Sequence, residues 1–250
     1  MISLPKGISP PSEKNPRLLL LYGIQLSGKT LFLTQLPEPS LIIDIDGHAG
    51  FYSCCRTGKI KTYMEFIELL LAIEKAGKPY KYVAVDSITE LVGLCIEHTT
   101  AIYNRTKSAK EPEVADIRDV PFKGYETLYT AFLKLETMIE RVAPYVIFIG
   151  HVKDKWDGET AKMLDGEARK GVTKNILEEP TEKVLDLPGK LANTFLGRMH
   201  AVGYFRKGTV NTDGTFNNQI IFEGTADRYG SRAEHLRGKT IPADWSLIYV

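Results

Sequence analysis

The run Gly23-Ile24-Gln25-Leu26-Ser27-Gly28-Lys29-Thr30 matches the pattern G-x-x-x-x-G-K-[ST] at every fixed position. Each fixed residue has a chemical task. Glycines let the backbone wrap a polyphosphate with its N–H groups turned inward, the lysine ammonium reaches the outer phosphates, and the threonine hydroxyl holds Mg²⁺. The expectation is a nucleotide site formed by Gly23, Ile24, Gln25, Leu26, Ser27, Gly28, Lys29, Thr30 and Leu31. Lys29 would act on the phosphates and Thr30 on the metal.

A nucleotide-hydrolysing site needs further polar groups around the phosphates. Asp86 closes the apolar run Tyr82–Asp86. At the carboxyl end of a strand it would accept hydrogen bonds from Mg²⁺-bound water, or else cap the helix that starts near Ile88. No Glu follows Asp86, so the water-activating carboxylate is sought at the end of another strand, in Asp44-Ile45-Asp46-Gly47. Residues two apart on an extended chain point to the same side. Asp46 is the first candidate and Asp44 the second. His151 directly follows the apolar run Tyr145–Gly150. A polar side chain there would lie beside the outermost phosphate and report its presence.

These groups need a scaffold that brings four strand ends together. Arg17–Tyr22 reads as a buried strand and Thr30–Leu36 as the helix after the loop, stopped by Pro37. Ser40–Asp44, Tyr82–Asp86 and Tyr145–Gly150 read as further buried strands. Thr62–Ala76, Ile88 to about Tyr103, and Thr127–Val142 read as helices, and Leu187–Leu196 as a short one. Asn104–Lys123 reads as a loop, and His151–Lys183 as a long polar segment of the kind that is functional or mobile. His200–Arg206 and Asn218–Glu223 read as a hairpin. Alternating apolar strands and helices predict an α/β fold: a mainly parallel twisted sheet, helices on both faces, and a C-terminal antiparallel hairpin.

The bulk numbers exclude several classes. The chain has 250 residues, 43% hydrophobic and 25% charged, with a formal net charge of +1. That suits one large domain, expected over 17–250, and gives no global attraction to nucleic acid or membrane. Residues 1–16 carry Pro5, Pro10, Pro11 and Pro16 and read as an extended arm. Cys54, Cys55 and Cys95 form no C-x-x-C pair and no zinc set, which fits free thiols in a reducing cytosol. No apolar run is long enough to span a bilayer, and the N-terminus has no signal-peptide core, so a cytoplasmic protein without membrane partners is expected.

The P-loop, Ile43–Gly47, Val85–Ser87 and Phe148–His151 occur in an order and spacing that resembles the RecA-like ATPase core. Within it the chain is most similar to small phage and prophage proteins of the Sak type, the Rad-related group associated with single-strand annealing and nucleotide binding. The resemblance spans about Arg17 to Arg232. It implies ATP and Mg²⁺ as cofactors, single-stranded DNA as a partner, and a homo-oligomer or filament. It also implies a setting in phage recombination or replication in a bacterial host, where a single-strand-binding protein is a possible partner. Family members usually carry Glu where Asp46 stands, and bacterial recombinases carry Gln where His151 stands.

In such proteins two loops face DNA, and the matching segments here are Asn104–Lys123 and Val152–Lys183. Lys153, Lys155, Trp156 and Lys162 are the candidate DNA contacts in the second. Trp156 would stack on a base or pack over the hairpin. A neighbouring subunit often completes the ATP site with a basic residue, for which Arg228 and Arg232 are candidates. Two other readings stay open: an ATP-driven assembly switch in phage replication, and a P-loop kinase acting on a small molecule. The kinase is disfavoured because the segment after His151 holds only Arg169 among its lysines.

Overall fold

The computed structural model describes residues 13–155, 182–188, 190–211, 216–224 and 230–250. Four strands, β1 (Leu18–Gly23), β2 (Ser40–Asp44), β3 (Tyr82–Asp86) and β4 (Tyr145–Lys155), carry the site residues at or near their carboxyl ends. The sheet continues with β5 (Glu182–Leu185), β6 (Ala201–Arg206), β7 (Gln219–Ile221) and β8 (Thr240–Pro242). The strand order is β2-β3-β4-β1-β6-β7-β8, with β5 paired to β4. Strands β2, β3, β4, β1 and β6 run parallel, whereas β6–β7, β7–β8 and β4–β5 are antiparallel. This is the α/β, mainly parallel sheet with a C-terminal antiparallel extension that the sequence predicts.

Every residue of β1, β2 and β3 is buried. Such strands read as continuous apolar runs because helices cover both sides of a parallel sheet. Alternate side chains divide between the faces. Leu18, Leu20 and Tyr22 join one core cluster, with Phe66, Leu91, Phe132, Leu135, Phe148 and Phe195. Leu19 and Leu21 join the other, with Phe32, Leu33, Ile149, Phe205, Phe222, Trp245 and Ile248. Helices α2 (Tyr63–Lys75), α3 (Ile88–Thr106), α4 (Lys123–Ile139) and α5 (Leu191–Arg198) supply the first face. The second is covered by α1 (Lys29–Leu33), α6 (Trp245–Ile248) and the C-terminal strands. Trp245 stacks on Phe32 at 4.2 Å between ring centroids and donates its indole N–H to Phe32 O at 2.8 Å.

The boundaries differ from expectation where a local signal misleads. Regular α1 ends at Leu33, and tighter i→i+3 bonds from Gln35 and Leu36 complete its last turn. Helix α4 begins at Lys123, not Thr127. Gly124 is no breaker there, because a Cβ at that position would lie 1.9 Å from Ile117 O, so glycine permits the close approach. Strand β4 does not stop at Gly150 but runs on through Lys155 and pairs with β5, so the expected polar segment begins and ends as an antiparallel ladder. Helix α5 is shifted C-terminally, and β8 and α6 have no counterpart in the sequence reading. Among the described residues no helix is long and apolar enough to cross a membrane.

Candidate functional site

The parallel register sets the ends of β1, β2 and β3 beside His151 of β4. Asp44 pairs with Asp86 across β2 and β3, Asp86 with Ile149 across β3 and β4, and His151 with Gly23 across β4 and β1. The P-loop strand and the Asp86 strand are thus separated by the one that carries His151.

The loop from Gly23 to Gly28 needs its glycines for two reasons. A Cβ on Gly23 would meet Phe205 O of β6 at 2.4 Å. Gly28 has φ +94°, in the left-handed region that glycine adopts without cost. Lys29 starts α1 and is 4% exposed. Its ammonium donates to Gly23 O (2.9 Å), Ile24 O (2.7 Å) and Ser27 Oγ (3.4 Å), so it sits inside the loop. Burial pushes its pKa down to about 8, against the opposing pull of Asp86 and Asp46. Leu26, at the loop tip, is 93% exposed, and Ile24, Gln25 and Leu31 are exposed beside it.

The Thr30 hydroxyl donates to Asp86 Oδ2 at 2.7 Å. Asp86 is 1% exposed, and burial pushes its carboxyl up to about 6. The Thr30 hydrogen bond opposes that rise, while the nearby Asp46 and Asp44 charges add to it. Among the described residues no cluster of three or more His, Cys, Asp or Glu side chains is placed to bind a metal alone. A hydroxyl and a carboxylate 2.7 Å apart are nevertheless the donor set for Mg²⁺, which takes one or two protein oxygens and completes its shell with water and phosphate. The residues fit the ion.

Asp46 and Asp44 have different partners. Asp44 accepts the Gly47 N–H at 2.7 Å through Oδ1, closing the turn that follows β2. Asp46 Oδ1 accepts from both the N–H and the hydroxyl of Ser87, each at 3.2 Å. Its Oδ2 lies 3.4 Å from His151 Nε2 and 3.7 Å from His48 Nδ1. The Ile45 and Asp46 N–H groups both donate to Asp86 O, at 2.8 and 3.2 Å, which clamps this segment to the end of β3. Burial raises the Asp46 pKa, but His151, the Ser87 hydroxyl and His48 outweigh it and hold the carboxyl below its ordinary value. The site therefore holds an ionised carboxylate just past the end of β2, with two strands between it and the P-loop strand, beside a histidine whose buried Nδ1 has no hydrogen-bond partner.

Lys29, Thr30, Asp44, Asp46, Asp86 and His151 thus gather at one end of the sheet. Ser87 and His48 belong to the same cluster and were assigned no role from sequence. An Asp-Ser pair opening a helix carries an N-cap signal, and the Ser87 hydroxyl does accept Glu90 N–H at 3.5 Å, which masks its second task. The candidates outside this cluster lie elsewhere. Lys153 donates to Leu187 O and pairs with Asp186, both at 3.2 Å. Lys155 is the last residue of β4. Trp156, Lys162 and Arg228 lie outside the described residues. Arg232 bonds His200 O and Gly197 O, beside the start of β6, at the end of the sheet away from the P-loop.

The AAA domain family matches this chain over residues 15–217. Solved structures also match. One is the crystal structure of the RadB recombinase, 14% identical, covering 91% of this chain and 87% of that one, with a TM-score of 0.42. No curated protein matches the chain.

Proposed function

The chain belongs to the AAA domain family, and from that premise we propose that it is a Mg²⁺-dependent, RecA-like ATPase that binds single-stranded DNA and promotes annealing or strand exchange. The observation that carries the ATPase reading is the placement of Asp46. It is an ionised carboxylate, 5% exposed, fixed by Ser87 and His151 at the sheet end where Lys29, Thr30 and Asp86 also gather. A carboxylate so placed orients a water for attack on the outermost phosphate. Lys29 would bind that phosphate, and Thr30 and Asp86 would hold the ion, which would neutralise charge developing on the phosphate oxygens. ATP is the nucleotide that the resemblance to RecA-like ATPases implies.

The DNA reading draws support from continuity. Strand β4 passes straight from His151 into the β4–β5 ladder. A change at the outermost phosphate felt by His151 would reach, along one strand, the ladder that holds Lys153 and Lys155. The Arg232 position, at the opposite sheet end from the P-loop, suits head-to-tail association in which one copy's arginine approaches its neighbour's site. A phage recombination role, with a single-strand-binding protein as partner, extends the same reading.

One observation favours a second reading. All of Asp46 Oδ1 is engaged by Ser87, and the carboxylate is a weaker base than an ordinary one. Slow hydrolysis would make ATP an assembly switch. Phosphate release with and without single-stranded DNA, and with no acceptor present, separates the readings. A DNA-stimulated ATPase releases phosphate faster with DNA, a switch binds ATP with little turnover, and a kinase needs its acceptor. Lys29→Ala should abolish turnover; unchanged turnover would overturn the site.

A further inference from the structure

We propose that His48 is the proton exit of the hydrolytic site: it receives from Asp46 the proton removed from the attacking water and passes it to solvent. This rests on the reading of Asp46 as the water-orienting carboxylate. Asp46 is bracketed by two imidazoles that meet the same oxygen, Oδ2: His151 at 3.4 Å and His48 at 3.7 Å. The two differ in where a proton could go next. His151 is 17% exposed, and its remaining nitrogen, Nδ1, is buried without a hydrogen-bond partner. A proton delivered there has no onward acceptor. His48 is 65% exposed, so its far nitrogen meets water.

The backbone builds this arrangement. Gly47 takes φ +82° and its N–H is tied to Asp44 Oδ1 at 2.7 Å. That turn sends the chain into the short 3₁₀ helix His48–Phe51 and brings the His48 ring back toward the residue two before it. Charged groups face the turn from several sides. Lys59 lays its stem over Gly47, its Cδ 3.2 Å from where a Cβ would stand, and the Arg56 guanidinium lies 3.9 Å from the same position on Gly50. Asp44, Asp46 and His151 face it from the strand ends. The 3.7 Å gap exceeds a hydrogen bond by a few tenths of an ångström. Catalytic contacts of this length tighten when substrate binds.

The water oxygen bonds the terminal phosphorus of ATP, and the bond from that phosphorus to the bridging oxygen breaks, leaving ADP and phosphate. The water proton moves to Asp46 Oδ2 and on to His48 Nδ1, while a proton leaves His48 Nε2 for solvent. Asp46 returns to its ionised form, and proton exchange of the exposed imidazole with solvent restores its bare Nδ1 for the next water.

The test compares wild type, His48→Ala, His48→Gln and Asp46→Asn as full-length proteins, with ATP and Mg²⁺ at low buffer concentration. The expected result is a fall of about tenfold in kcat for both His48 variants, part of the full contribution of a positioned base. ATP affinity, read with a fluorescent ATP analogue, should stay within about twofold. Added imidazole should restore His48→Ala and leave wild type unchanged, an effect no purely structural role produces. Wild-type turnover in both His48 variants, a loss that imidazole does not restore, or a matching loss of ATP affinity would each overturn the proposal. If Asp46→Asn is inactive while His48→Ala turns over normally, only the His48 proposal fails. If Asp46→Asn hydrolyses like wild type, the underlying reading of Asp46 fails and His48 with it.

Discussion

The Thr30 hydroxyl and the Asp86 carboxylate meet at 2.7 Å across 56 positions of sequence, joining the first helix of the P-loop to the third strand. This contact predicts a trade between stability and function. Burial lifts Asp86 from its ordinary 3.8 to about 6, so the folded protein holds that proton more tightly than the unfolded chain. The linked stability is highest below about pH 4, falls as pH rises to about 6, and stays lowered above it. A rise of that size corresponds to about 3 kcal/mol. Asp86→Asn should therefore raise the urea midpoint of the nucleotide-free protein at pH 8, by much more than at pH 4, while Mg²⁺-dependent ATP binding disappears. A variant that is less stable than wild type at pH 8 would contradict this.

Asp44 and Asp46 are two residues apart and should fail in different ways. Asp46→Asn keeps the Ser87 contacts approximately and should leave ATP affinity intact, with hydrolysis slower by about 10² to 10⁴. Asp44→Asn perturbs the acceptor of the Gly47 N–H, so its effect should appear as about 1 kcal/mol of lost stability and a smaller drop in rate. Single-turnover kinetics beside urea unfolding distinguish them. Abolished turnover in Asp44→Asn with Asp46→Asn active would reverse the two assignments.

The parts of the fold that were legible in the sequence are those whose environment is uniform. Leu18–Gly23, Ser40–Asp44 and Tyr82–Asp86 are buried on both faces, so each appears as an apolar run closed by a polar or glycine residue. Lys29 and Thr30 were legible because the P-loop pattern fixes their types and spacing, and Asp86 because it closes an apolar run. The extension of β4 past Gly150 was hidden because Val152–Lys155 pairs through backbone groups, which carry no side-chain pattern. Strand β8 and α6 were too short to generate a period, and it is the Trp245–Phe32 stack that holds α6 in place. His48 was illegible for a conformational reason. Its approach to Asp46 follows a positive-φ turn at Gly47, and a glycine in sequence does not reveal which way it turns.

Gly23 is fixed by its neighbour rather than by its own dihedrals. A Cβ there would stand 2.4 Å from Phe205 O, in the backbone of the adjacent strand β6. Backbone cannot yield as a side-chain tip does, so Gly23→Ala should part β1 from β6 and tilt the loop that carries Lys29. Overpacking of this kind costs about 1–3 kcal/mol. The expected outcome is a lowered urea midpoint together with weakened ATP binding. Gly58→Ala, where an added Cβ meets nothing within 4 Å, serves as the control and should change neither. Gly23→Ala with unaltered ATP affinity would show that the loop position does not depend on this strand contact.

Glu136 predicts a pH dependence far from the nucleotide. Its side chain is fully buried on α4, and neither oxygen has a hydrogen-bond partner. Arg198 Nε approaches Oε1 to 3.0 Å, outside hydrogen-bonding alignment, while its Nη2 donates to Glu140 Oε1 at 2.8 Å. Burial lifts Glu136 from 4.5 to about 7, with Arg198 opposing and Glu140 adding. The folded carboxyl again binds its proton more tightly than the unfolded one. Its linked stability is complete below about pH 4.5, declines through about pH 7 and is flat beyond. Glu136→Gln keeps the shape and has no proton to lose. Relative to wild type it should gain stability between pH 5 and pH 8, approaching about 3 kcal/mol at the upper end. Urea unfolding of both proteins across that range reads the difference directly and cancels every other titrating group. Parallel curves for the two proteins would show that Glu136 is ionised throughout and that Arg198 compensates its burial in full.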